Sequence, residues 1–188
     1  TLFRSFITWG YNNLKVWYRD DNESKSLIGL KKNRHTALIK HKSSIDIRKM
    51  LIFNNDLLIT LSDYKVQIWC LLSNSLISEL TTDFKIRSLI KYSEDVLVTS
   101  NNLGSLNFWN IRSLRCIMTS NNDYEYDSIW CLAKVNKSII FGGRYSIDVW
   151  NKDGVTTIYD TEDDDFPPAN ILYLGRDLLA VDKFQEIH

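Results

Sequence analysis

Cysteine, proline and glycine are all scarce in this chain of 188 residues, at three, two and seven copies. Cys70, Cys116 and Cys131 are odd in number, show no CxxC spacing and have no nearby histidine. That argues against a disulfide framework or a zinc site and for small apolar residues inside strands, in a reducing compartment. So little Gly and Pro excludes collagen-like and linker-like classes. An excess of either charge is also missing, because 23 Lys plus Arg face 23 Asp plus Glu. The electrostatic case for nucleic-acid or membrane-surface binding rests on a basic excess and is absent here. No apolar run approaches the roughly 18 to 20 residues of a membrane span; the longest are short stretches such as 50–53. Residues 1–10 lack a charged n-region followed by an apolar h-region, so they do not read as a signal peptide. What is present is a 44% hydrophobic and 12% aromatic content, enough for a core, at a length that suits one domain.

The informative feature is a repeat. Four of the six tryptophans share one local pattern of apolar, polar, apolar, Trp. They are Leu14-Lys15-Val16-Trp17, Val66-Gln67-Ile68-Trp69, Leu106-Asn107-Phe108-Trp109 and Ile147-Asp148-Val149-Trp150. Trp17, Trp69, Trp109 and Trp150 are separated by 52, 40 and 41 residues, and a fixed period near 40 marks a repeat array. The segments ahead of each Trp keep the same phase. Residues 47–53 lead through Asn54-Asn55-Asp56 to 57–60, 86–92 through Ser93-Glu94-Asp95 to 96–99, and 129–135 through Asn136-Lys137 to 138–141. Residues 171–174 lead likewise through Gly175-Arg176-Asp177 to 178–181. These are short runs of Ile, Leu, Val, Phe and Tyr broken by Asn, Asp, Ser or Gly, which is strand chemistry. No segment sustains an apolar period of three and four with helix caps. A fourth, weaker strand follows each Trp, at 76–80, 115–118 and 155–159. Four antiparallel strands per 40 residues predict an all-β protein built of propeller blades.

With these motifs in hand, the chain resembles the WD40 repeat family along essentially its whole length. The resemblance is degenerate. The Trp of the WD dipeptide is kept four times, but Tyr18, Cys70, Asn110 and Asn151 stand where its Asp would be. The GH pair is best preserved as Lys40-His41, 22 residues before Asp63, with Trp69 six further on. The resemblance therefore implies His41, Thr60, Asp63 and Trp69 as a structural tetrad, in which hydrogen bonds satisfy a buried indole N–H and a buried carboxylate. Those residues are scaffold and not a catalytic site. Repeats fall at approximately 1–41, 42–82, 83–122, 123–163 and 164–188, and both ends stop inside a blade. The expectation is about four and a half blades of a seven-bladed ring, with a closed ring of four or five blades as the alternative. Two polar stretches, 19–42 and 161–165, are expected between the outermost strand of one blade and the innermost of the next.

Catalytic motifs are absent: the chain has no GxGxxG, P-loop, GxSxG or HExxH. His35, His41 and His188 lack metal spacing, and the consecutive Asp163 to Asp165 suit a loop better than an acid/base pair. No catalytic residue, metal or cofactor is therefore assigned. The resemblance implies a protein-interaction scaffold, intracellular in a eukaryotic cell, cytoplasmic or nuclear. Arg48 and Arg87 occupy the same repeat position at the start of an innermost strand, and Trp130 fills that slot in the next blade. Arg144 lies in the tight turn before a third strand. In the family these positions ring the top face, and F-box propeller subunits of ubiquitin ligases read phosphorylated segments with arginines at comparable places. Arginine's fork suits carboxylate or phosphate. Arg48 and Arg87 either serve such a ligand or pair with nearby acids, and Trp130 is either a partner anchor or a packed core residue. Two functional readings stand. The chain is a scaffold that captures an acidic or phosphorylated segment of a partner protein, or it is a permanent structural subunit of a larger complex.

Overall fold

The computed structural model describes residues 5–10, 13–18, 35–40, 47–73, 75–120, 128–160, 168–175 and 178–183, the first three segments as backbone. Every regular element among them is a β-strand. β1 (Ser5–Gly10), β2 (Asn13–Tyr18) and β3 (His35–Lys40) form a first sheet. The second holds β4 (Lys49–Ile52), β5 (Leu57–Leu61), β6 (Lys65–Cys70) and β7 (Ser75–Thr81). The third holds β8 (Ile86–Lys91), β9 (Val96–Asn101), β10 (Leu106–Asn110) and β11 (Arg115–Ser120). The fourth holds β12 (Cys131–Val135), β13 (Ser138–Gly142), β14 (Ser146–Asn151) and β15 (Gly154–Asp160). β16 (Pro168–Gly175) and β17 (Leu178–Lys183) pair as the fifth. Within each sheet the strands follow chain order and pair antiparallel, so each is a simple meander.

One expectation about the loops is corrected. β3 is the outer strand of the first sheet, paired with β2. The polar stretch that lengthens the first repeat therefore falls mainly at 19–34, before that outer strand and not after it.

The turns explain why strands end where they do. Asn54 Oδ1 accepts from the amides of Asp56 and Leu57, both at 2.9 Å. Asn110 Oδ1 accepts from Arg112 and Ser113 at 3.0 and 2.8 Å, and Asn151 Oδ1 from Asp153 at 2.8 Å. Such side-chain bonds offer the backbone a turn in place of a ladder partner. Asn110 and Asn151 thus turn the chain directly after their Trp.

Apolar seams join the second, third, fourth and fifth sheets in succession. Phe53, Ile59, Leu61, Val66 and Ile68 of the second sheet pack with Ile86, Leu89, Leu97 and Ile111 of the third. Val98, Leu106 and Phe108 on its other face meet Ile129, Leu132, Ile139, Phe141 and Trp150 of the fourth. Cys131, Ala133, Ile140 and Ile147 in turn meet Ile171 of the fifth. The innermost strands β4, β8, β12 and β16 touch in sequence, while β7, β11 and β15 form the exposed outer edge.

A bulge recurs in the outer pairing. Ile68 pairs with Ser78 and Trp69 with Leu76, so Ile77 is skipped. Ile117 is skipped in the same way between Met118 and Cys116, and Ile158 between Tyr159 and Thr157. One extra residue per outer strand sharpens its twist. In all three sheets that residue is an isoleucine exposed to solvent, at 52, 57 and 49%.

Candidate functional site

Trp69, Trp109 and Trp150 are tied into the sheets by hydrogen bonds or ring packing. Trp69 Nε1 donates to Thr60 Oγ1 at 3.0 Å, and Trp109 Nε1 donates to Thr99 Oγ1 at 2.9 Å. Each Thr sits two residues along the neighbouring strand from the Trp's cross-strand partner, Leu58 or Leu97. Trp150 pairs with Ile139, which places Phe141 at the corresponding position. There the indole instead meets Phe108, with ring centroids 4.7 Å apart, and Tyr92 at 6.2 Å. Of the remaining residues that the resemblance links, Asp63 faces the rim, and His41 lies outside the described residues. Trp17 lies in β2.

The rim itself is built by the starts of β4, β8 and β12. Arg48, Arg87 and Trp130 stand at the head of these strands, beside the β5–β6, β9–β10 and β13–β14 turns. The amide of Arg48 donates to Leu61 O, and that of Trp130 to Gly142 O. Arg48 is exposed and ion-paired through Nε to Asp63 Oδ1 at 2.8 Å; Lys85 Nζ holds the other carboxylate oxygen at 3.3 Å. Arg87 is half-buried, and its guanidinium carbon lies 4.1 Å from the centroid of the half-buried Trp130 ring, a cation–π stack. Burial, and then the charge of Arg48, lower the Arg87 pKa from its ordinary value, with Asp63 acting the other way. Arg87 Nε and Trp130 Nε1 are both buried donors without an acceptor among the described residues. Arg144 is exposed and stacks on its neighbour Tyr145, 5.1 Å from the ring centroid. Arg87 and Trp130 thus stack directly, Arg48 lies near enough for its charge to act on Arg87, and Arg144 stacks on Tyr145.

Two cations that belong to this region were not singled out from the sequence. Lys85 balances Asp63. Lys49, next to Arg48, donates from Nζ to Ser88 Oγ at 3.0 Å. Its signal was legible: a lysine interrupts an otherwise apolar innermost strand, at the repeat position of Ser88 and Cys131. Burial lowers the Lys49 pKa, and burial pushes the Cys131 thiol up to about 11. Cys131 is therefore a neutral, inert thiol near pH 7.

At the opposite end of the second and third sheets, a cavity of about 170 Å³ opens beside Phe53, Leu57 and Ile111. Arg112 Nε holds Asp95 Oδ1 there at 2.6 Å, and Lys91 Nζ holds Glu94 at 2.9 Å. Its charges compensate one another. Among the described residues no His, Cys, Asp and Glu group has the makings of a metal site, and no helix is long and apolar enough to cross a membrane.

No family model matches this sequence, and no curated protein matches it. Among solved structures, the chain is similar to the WD40 beta propeller domain of Doa1, with a TM-score of 0.68 over 97% of this chain at 13% sequence identity. The chain spans 58% of the length of that structure. The fold is accordingly that of part of a WD40 β-propeller, as the repeat period and strand chemistry predict. A fold shared with 942 solved chains names no function, so function has to be argued from the rim.

Proposed function

We propose that this propeller portion is a non-catalytic, intracellular interaction scaffold whose rim holds an acidic or phosphorylated segment of a partner protein. The observation that carries the reading is the Arg87–Trp130 stack. A guanidinium lying 4.1 Å from the centroid of an indole is pre-organised, and Arg87 Nε and Trp130 Nε1 have no acceptor among the described residues. Arg48 contributes less, because it is already ion-paired to Asp63, a carboxylate it shares with Lys85. Replacing Arg87 by Glu, with Arg48→Glu and Arg144→Glu added in a second variant, tests this by affinity purification and mass spectrometry. Loss of a buried charge-assisted contact weakens binding by about 2–5 kcal/mol. Specific partners are expected to vanish from folded Arg87→Glu and to wash off the native protein as salt rises. An unchanged partner list would sink the reading.

A second reading, a permanent subunit of a larger complex, draws on the exposed isoleucines 77, 117 and 158, which repeat at intervals of 40 and 41 along the outer edge. Permanent interfaces are large and apolar. Under that reading, Ile77→Lys and Ile117→Lys abolish assembly while Arg87→Glu leaves it intact.

A further inference from the structure

Three large apolar side chains stand exposed on turn backbone at the rim end of the sheets. They are Tyr64 in the β5–β6 turn, Phe84 between β7 and β8, and Leu103 in the β9–β10 turn, at 50, 47 and 41% exposure. Backbone bonds tie the three together. Thr82 N donates to Tyr64 O at 3.0 Å and Ile86 N to Asp63 O at 2.6 Å, so both ends of the segment holding Phe84 are clamped to the Tyr64 turn. Asn102 N donates to Lys85 O at 3.0 Å and joins the Leu103 turn to that same segment. The Leu103 turn is itself fixed, because Asn101 Oδ1 accepts from the amides of Leu103 and Ser105 at 2.9 and 3.0 Å. Turns favour Gly, Asn, Asp and Ser. The β4–β5, β8–β9 and β12–β13 turns at the other end of these sheets are polar throughout, as Asn54-Asn55-Asp56, Ser93-Glu94-Asp95 and Asn136-Lys137. Rings and a leucine at turn tips add no turn chemistry, and such departures from local rules gather at functional sites.

From this placement we infer that Tyr64, Phe84 and Leu103 form a docking surface for a short, uncharged aliphatic segment of a partner protein. Charge and area fix the occupant. Each ring lies between an acid and a base, as Asp63-Tyr64-Lys65 and Asp83-Phe84-Lys85, and Leu103 has uncharged neighbours. Arg48 and Glu79, which pair with Asp63 and Lys65, add one further charge of each sign. The surface therefore has no net charge with which to steer a charged segment. Three side chains about half exposed offer on the order of 300 Å², against roughly 800 Å² per partner in a stable protein–protein interface. That suits a peptide and falls short of what a second folded copy needs. Aromatic side chains are the usual anchors of such contacts, and turns held by the bonds above need little ordering to bind. The inference stands apart from the Arg87–Trp130 stack and does not depend on an acidic ligand there.

The test is selection of random dodecapeptides displayed on phage, with binding of the synthesised winner measured by fluorescence anisotropy. The winner is expected to be rich in Leu, Ile and Met without net charge, and to bind no more weakly at roughly 1 M salt than at roughly 0.15 M. Phe84→Ser and Tyr64→Ser are each expected to weaken it by about tenfold or more, and Arg87→Glu to leave it unchanged. Should Phe84→Ser fail to fold, Leu103→Ser takes its place. No enriched peptide, or a winner that binds the folded variants of this surface like the native protein, overturns the inference. An acidic winner weakened by salt and by Arg87→Glu overturns it too, and leaves the acidic-segment reading standing. Dimerisation in sedimentation equilibrium that Phe84→Ser abolishes overturns the assignment to a partner segment and gives the surface to a second copy.

Discussion

Two threonines do work that their burial makes expensive to lose. Thr99 is almost fully buried, and its hydroxyl is the acceptor for the Trp109 indole. Thr99→Val keeps the shape and removes the acceptor, leaving an indole N–H without its bond. The expected loss is about 1–3 kcal/mol, read as a lower midpoint in urea denaturation, with Thr99→Ser close to native. A midpoint unchanged in Thr99→Val would mean that the hydroxyl carries no such bond. The acceptor at this position was only partly legible in the sequence. Thr60 lies nine residues before Trp69 and Thr99 ten before Trp109, because the β5–β6 turn is one residue shorter than the β9–β10 turn. Counting residues blurs a relation that strand pairing makes plain. In the next sheet Phe141 takes the position, and aromatic packing of Trp150 on Phe108 replaces the hydrogen bond.

At the level of elements, the fourth and fifth sheets meet through a close approach that depends on one glycine. A Cβ on Gly142 would strike the Pro168 ring and stand 2.9 Å from Cys131 Sγ. Gly142→Ala therefore forces β13 and β16 apart, at a cost of about 1–3 kcal/mol. The check is limited proteolysis: the β16–β17 hairpin is expected to be cut sooner in the variant while the second and third sheets stay protected. Equal cleavage rates would show that the contact is not tight. Nothing in the sequence marks this contact. Gly142-Gly143 reads as a turn, and the turn is there in the bond from Gly143 N to Ser146 O. That Pro168 lies against it is a fact about two sheets, visible only once they are stacked. The same holds for the skipped isoleucines. Their 40-residue recurrence is in the sequence, but alternation alone would have placed them by simple period-two counting, and the bulge breaks that count.

For the whole molecule, stability is expected to be a sum over seams between neighbouring sheets. Ile59 belongs to the seam between the second and third sheets, and Ile139 to that between the third and fourth; both are fully buried. Ile59→Val and Ile139→Val should each cost about 0.5–1.5 kcal/mol. In the double variant the losses should add to within about 0.5 kcal/mol. Phe108→Leu with Trp150→Phe, which alter two rings in contact within one seam, should not add. Additivity in both pairs, or in neither, would contradict nearest-neighbour stacking. The sequence by itself determined the period, the strand chemistry and hence the all-β blade architecture, because hydrophobic alternation and turn residues act locally along the chain. It also put Arg48, Arg87 and Trp130 in one repeat position. Only the tertiary structure decided how those three differ: Asp63 reaches Arg48, Trp130 lies under Arg87, and Lys49 crosses to Ser88. Pairing depends on distances between side chains, within one sheet for Arg48 and Asp63 and across sheets for Arg87 with Trp130 and Lys49 with Ser88, and residues separated by 15 to 43 positions meet there through packing that no local pattern encodes.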